Sequence, residues 1–207
     1  MPWSPERPAP SAAPAGRWHA GLRLVLDRLL ALVVAALLLA TPDLRAQSLP
    51  PPELTAFELL RNDEGLQLSF AVNFELPRGV EEALQKGVPL YFVAQAELYR
   101  GRWYWRDKRV AAAERTWRLA FQPLTRKYRV SFGGLNQSFD NLADALFAVR
   151  RAAAWKVAEP GALESGASHY LEFSYRLDTS LLPRPLQIGL GGQADWNLQV
   201  EKLQRLE

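Results

Sequence analysis

Apolar and polar residues alternate without a break from position 66 to 76. Leu66, Leu68, Phe70, Val72, Phe74 and Leu76 interleave with Gln67, Ser69, Ala71, Asn73 and Glu75. A period of two puts every apolar side chain on one side of an extended strand, as in a sheet with one buried face. The rhythm recurs along the chain. Leu54 to Leu60 reads as a preceding strand, separated by the turn signal Asn62-Asp63-Glu64-Gly65. Leu90 to Tyr99 is a second long strand. Arg115 to Phe121 turns Trp117, Leu119 and Phe121 inward, and Tyr128, Val130 and Phe132 form another set. His169 to Asp178 does the same with Leu171, Phe173, Tyr175 and Leu177, and Trp196 to Leu203 reads as the last strand. After Tyr99, Arg100-Gly101 reads as a two-residue hairpin turn, with Arg102 to Asp107 returning. That register sets Leu98 opposite Trp103 and Ala96 opposite Trp105.

Two segments break the period. Arg78 to Lys86 is a short helical or turned stretch with Val80 and Leu84 on one face, closed by Gly87. The clearer helix starts at Asp140 or Asn141, both good caps, and aligns Leu142, Ala145, Leu146 and Val149, with Arg150 and Arg151 at its end. Many short alternating strands with tight turns and one lateral helix predict an all-β, mainly antiparallel fold. It is a β-sandwich, immunoglobulin-like in general architecture. An open barrel is the alternative.

The first 46 residues follow a different logic. Leu29 to Ala40 is an unbroken apolar run behind Arg17, Arg23 and Arg28. It is short of the roughly 20 residues that span a bilayer. The run reads as the core of a secretory signal peptide with cleavage after Ala46, preceded by a long disordered Pro/Ala-rich lead. No Cys follows it, which argues against a lipoprotein anchor. The expected organisation is a leader over 1–46, a Pro-rich linker over 47–53 and one domain over 54–207. The location is then periplasmic or secreted; the alternative is tethering to the inner membrane by an uncleaved N-terminal segment. Residues 47–207 carry 20 basic and 19 acidic side chains. A near-neutral domain lacks the cationic surface that nucleic-acid binding needs, so no nucleic-acid partner is expected, and contact with a membrane is confined to the export segment.

The chemistry-bearing residue types are sparse. His169 is the only His after position 46, and the chain has no Cys, so neither a zinc site nor a Cys nucleophile is expected. No G-x-S-x-G elbow is present, the carboxylates sit at turns, and the glycine pairs lack a strand–loop–helix context. No cofactor, metal or catalytic residue is assigned. The densest cluster is Tyr99-Arg100-Gly101-Arg102-Trp103-Tyr104-Trp105-Arg106-Asp107. Aromatic rings there suit stacking on sugars or headgroups, and Arg suits anions. The alternation assigns both Trp to the core, which leaves Tyr99, Arg102, Tyr104 and Arg106 as candidate binding residues. Arg184, between Pro183 and Pro185, is the fifth, on a loop that either docks a partner or forms a fixed corner with Arg184 paired to Asp178.

Several motifs together are distinctive. Leu90-Tyr91-Phe92, Arg102 to Asp107, Leu124 to Val130, Arg176 to Pro185 and Asp195-Trp196 occur in that order. Their combination resembles an exported proteobacterial family catalogued as a domain of unknown function, number four-three-nine-zero. The resemblance implies an envelope protein with no assigned activity, of a kind often encoded beside a membrane sensor kinase. It transfers no catalytic residue. The expected role is a non-enzymatic binding or signalling-accessory module whose partner is an envelope protein or that sensor kinase. The alternatives are a glycan- or lipid-binding module built on the aromatic/Arg hairpin, and an envelope hydrolase resting on scattered carboxylates.

Overall fold

Strands with one apolar face bury it by stacking two sheets face to face. The computed structural model describes residues 49–102, 106–164, 166–182, 184, 187 and 196–206. Their order is β1 (Glu53–Asn62), β2 (Gly65–Asn73), α1 (Arg78–Gln85), β3 (Leu90–Arg100), β4 (Lys108–Gln122), β5 (Lys127–Phe132), β6 (Leu135–Phe139), α2 (Leu142–Val149), β7 (Arg151–Ala158), β8 (His169–Leu177), a 3₁₀ turn (Thr179–Leu181) and β9 (Gln199–Leu206). A small sheet has the order β1-β2-β7 and a large one β6-β5-β4-β3-β8-β9. All paired neighbours are antiparallel. The predicted β-sandwich is the fold observed. The leader and the first two residues of the linker lie outside the described residues, and the last linker residue, Glu53, already belongs to β1.

The two sheets meet through the alternating positions named above. Phe70 of β2 sits at the centre, 4.9 Å from Phe173, 6.0 Å from Tyr175 and 6.3 Å from both Trp117 and Trp155 between ring centroids. Edge-on and tilted pairs at these distances add to the area buried. Phe57 of β1 reaches Phe173 on β8, so the small sheet covers one flank of the large one. On the other flank α2 packs on β4, β5 and β6 and completes the upper layer. Asn141 caps α2 by accepting a 2.8 Å hydrogen bond from the Asp144 N–H. At its far end, the buried Tyr175 hydroxyl donates to the Val149 carbonyl at 3.0 Å. Arg150 then lies 4.7 Å over the Phe74 ring and donates to the Phe74 carbonyl. The helix end is thereby fastened to β8 and to Phe74, the residue that follows β2.

Two strands escape the sequence pattern and two others start elsewhere than it indicates. Arg151 to Ala158 looks helical by composition, yet it pairs with β2. Trp155 and Val157 face the core, and a bulge at Ala154 (φ 46°) absorbs one extra residue. β6 carries no apolar period, because its side chains are mostly exposed and polar. β4 starts at Lys108, before the strand read from Arg115, because Ala111–Ala113 carries no apolar contrast. β9 begins at Gln199 rather than Trp196.

The hairpin prediction is corrected. Arg100 pairs with Lys108, Leu98 with Ala111 and Ala96 with Ala113, so β3 and β4 are joined by a loop over 101–107 instead of a two-residue turn. Two contacts explain the longer excursion. The Asp107 carboxylate accepts from the Arg102 N–H at 3.0 Å and closes the loop at its base. The Gly101 N–H donates to the Ser168 carbonyl at 2.9 Å, and a Cβ at Gly101 would lie 2.7 Å from Ser168 Oγ. The chain leaves β3 there to meet the β7–β8 loop. Trp103, Tyr104 and Trp105 lie outside the described residues.

Candidate functional site

The inner face of the large sheet is filled, so any site on that sheet is on its outer face. Period-two alternation puts Gln95, Glu97 and Tyr99 of β3 there, beside Tyr170, Glu172, Ser174 and Arg176 of β8 and Glu201 and Leu203 of β9. Register lines them up in rows. Tyr99 faces Tyr170, Glu97 faces Glu172, and Gln95 faces Ser174. Glu172 in turn faces Leu203, and Ser174 faces Glu201. A groove of about 440 Å³ runs across these rows, lined by Gln95, Glu97, Glu172, Ser174, Glu201 and Leu203 among others.

Like charges set directly opposite in a sheet repel. Glu97 is drawn away from Glu172 by two donors: Tyr99 gives its hydroxyl at 2.5 Å and Arg109 an N–H at 2.6 Å. The Tyr99 hydrogen bond, followed by Arg109, holds the Glu97 carboxyl below its ordinary range. The same bond pushes the Tyr99 hydroxyl up. Among the described residues no donor reaches the Glu172 carboxylate, and Glu201 accepts only from Gln199, at 2.5 Å. Further along the face, Arg176 donates to Gln95 at 2.7 Å and Gln95 donates to Glu114 at 2.8 Å. These bonds fix the amide at the floor of the groove. Asp178 receives Arg176 at 3.3 Å and caps the 3₁₀ turn through Ser180. Burial works against its charge, but the two Ser180 bonds and Arg176 outweigh it and lower its pKa.

Tyr99 and Tyr170 stack at 5.3 Å, 12° from parallel, at the loop end of the groove. The Tyr170 hydroxyl donates to Asp107 at 2.8 Å. Burial first, then this bond and the carboxylate charge, push its pKa to about 12. Asp107 is held down by the Arg102 N–H and then by Tyr170. Thus Tyr99 and the base of the Arg102 loop form one connected unit. Arg102 and Arg106 are exposed on that loop. Tyr104 is outside the described residues. Arg184 is exposed and follows the opposite end of β8. The partner of Asp178 is Arg176 instead of Arg184.

The loop end is stitched elsewhere too. Arg100 pairs with Glu164, and Arg61 donates to the Leu163 carbonyl at 3.3 Å. His169 is buried, with Nδ1 3.0 Å from the Ala167 carbonyl. Among the described residues no group of three metal-binding side chains converges, and no helix is long and apolar enough to cross a membrane.

The groove residues Gln95, Glu97, Glu172, Ser174 and Glu201 were not singled out from sequence. Their only signal is that each occupies an outward position of a strand; the register that joins them spans more than a hundred residues of chain. The family described as Domain of unknown function (DUF4390) matches residues 50–206, the span of the sandwich. The chain belongs to this family. No curated protein and no solved structure matches it.

Proposed function

We propose that this DUF4390 member is an exported, non-enzymatic binding module of the cell envelope. Its partner is an envelope protein, a membrane sensor kinase in the leading version, that presents basic side chains to the outer face of the large sheet. The observation that carries the reading is the groove across β3, β8 and β9. It is open, about 440 Å³ in volume, and floored by a hydrogen-bonded amide. Glu97 is held in place by Tyr99 and Arg109, while Glu172 and Glu201 project beside it. Fixed carboxylates next to a half-exposed aliphatic edge suit amines and guanidinium groups on hydrocarbon stems.

The test is titration with a Lys/Arg-rich peptide, an acidic peptide and neutral glycan fragments, followed by backbone amide NMR. Expected are shifts at Gln95, Glu172 and Ser174 with the basic peptide alone, weakened by salt and abolished by Glu172→Lys. Shifts confined to the 101–107 loop with glycans would replace this reading with the sugar- or lipid-binding one.

A further inference from the structure

Four strands end the two sheets, and a free strand edge pairs with other extended chains unless something blunts it. The small sheet is blunted at both edges. β1 changes register between Leu54 and Ala56, and β7 carries the Ala154 bulge. β6 is only five residues long. β9 has none of these devices. It runs eight residues, from Gln199 to Leu206, in unbroken register with β8.

One bond fixes which way its backbone points. The Leu177 N–H donates to the Leu198 carbonyl at 2.9 Å. In an antiparallel ladder such pairs alternate. Val200, Lys202, Gln204 and Leu206 therefore bond to β8, and Gln199, Glu201, Leu203 and Arg205 turn their N–H and C=O groups to the free edge. The side chains of this second set are also the exposed ones, and Leu203 is 57% exposed.

The outward row reads Glu201, Leu203, Arg205. Laid antiparallel against a second copy about a two-fold axis at Leu203, it sets Glu201 opposite Arg205 twice and Leu203 opposite itself. The other face then matches Lys202 with Gln204 and Val200 with Leu206. An axis at Glu201 brings carboxylates together, and one at Arg205 brings guanidinium groups together. An axis at Lys202 or Gln204 pairs neither charge with its opposite. The charges that repel a random strand thus select one register with a copy of the same chain. We propose that β9 is the interface of a two-fold dimer in which the large sheets of two copies join edge to edge. The axis passes through Leu203, so the two outer-face grooves abut there. The Gln204 amide, which donates to the Arg205 carbonyl at 3.0 Å, turns away when the copies pair. A lone strand pair buries less than the roughly 800 Å² per partner of a standard interface. Association is therefore concentration-dependent.

Cross-linking tests this on the full chain, which contains no Cys. Leu203→Cys is treated with a short thiol-to-thiol linker. Leu124→Cys, at a site 101% exposed on the β4–β5 turn, reports random collision. The expected yield of covalent dimer from Leu203→Cys is at least about ten-fold above that control, as pre-alignment raises effective concentration. In the Leu203→Cys background, Glu201→Arg alone and Arg205→Glu alone reduce it to control level. The double reversal restores it, because the pairs re-form with signs exchanged. Equal yields from the two cysteine positions, singles that cross-link as well as the parent, or a double reversal as poor as the singles would each overturn the dimer. Variants at Glu97 or Glu172 do not enter this test, so its failure leaves the groove reading standing.

Discussion

Ala154 occupies a backbone conformation that suits glycine. Its φ is 46°, in the bulge where β7 gains a residue against β2 between Trp155 and Ala152. Its side chain is exposed, and its N–H donates to Ser69 Oγ at 3.0 Å. Ala154→Gly removes an exposed Cβ and keeps the hydrogen bond. A left-handed conformation costs an L-residue about 1–2 kcal/mol. Glycine returns about 0.5–1 kcal/mol of that through a freer unfolded chain. The net expectation is a gain of about 0.5–1 kcal/mol. With a urea slope of about 2 kcal/mol per M, the midpoint rises by roughly 0.3–0.5 M. The melting temperature rises by about 1–4 °C for a domain of this size. Equilibrium urea unfolding followed by Trp fluorescence measures it. An unchanged or lower midpoint, with an unaltered slope, would show that the bulge does not store this strain.

Two more outcomes follow from the outer face. Tyr170→Phe removes the donor that, with the Arg102 N–H, holds Asp107 at the base of the 101–107 loop. Trypsin cleavage after Arg102 or Arg106 then speeds up roughly five-fold while the global urea midpoint barely moves; an unchanged cleavage rate refutes the anchor. The pH profile should have two limbs. Glu97, Asp107 and Asp178 have lowered pKa values in the fold, so their stabilisation is present above the ordinary carboxylate range and is lost as pH falls below about 4. Tyr170 is raised to about 12, so its contribution holds below the ordinary tyrosine value and is lost as pH climbs towards 12. Urea midpoints across pH check both, and Glu97→Gln together with Asp178→Asn should flatten the acid limb.

The core was legible because burial on one face enforces a period. Leu66 to Leu76 and Leu171 to Leu177 stand out by their alternation, and Asp140 and Asn141 both suit the start of α2, of which Asn141 is the cap. The strands that failed to show were those whose side chains do not contrast. β7 is Ala-rich, β6 is exposed, and the first half of β4 is a run of small residues. There the partner strand decides the conformation, and propensity does not. The Arg100-Gly101 turn was misread for a related reason. Turn signals are local, whereas the 101–107 loop is set by Asp107 reaching back to Arg102 and by Ser168, more than sixty residues away. Of the binding residues expected from that hairpin, Tyr99 enters a defined network, and Arg102 is tied in through its backbone.

The amino-acid order alone determined that antiparallel strands with one apolar face bury that face in a common core, because the period of two leaves one side of each strand to be hidden from water; that they stack as two sheets instead of closing into a barrel was decided by the fold. Only the folded chain decided which outward residues share a row. Cross-strand register is a pairing of distant segments. It alone brings Glu97 opposite Glu172, Tyr99 onto Tyr170, and Glu201, Leu203 and Arg205 to an open edge.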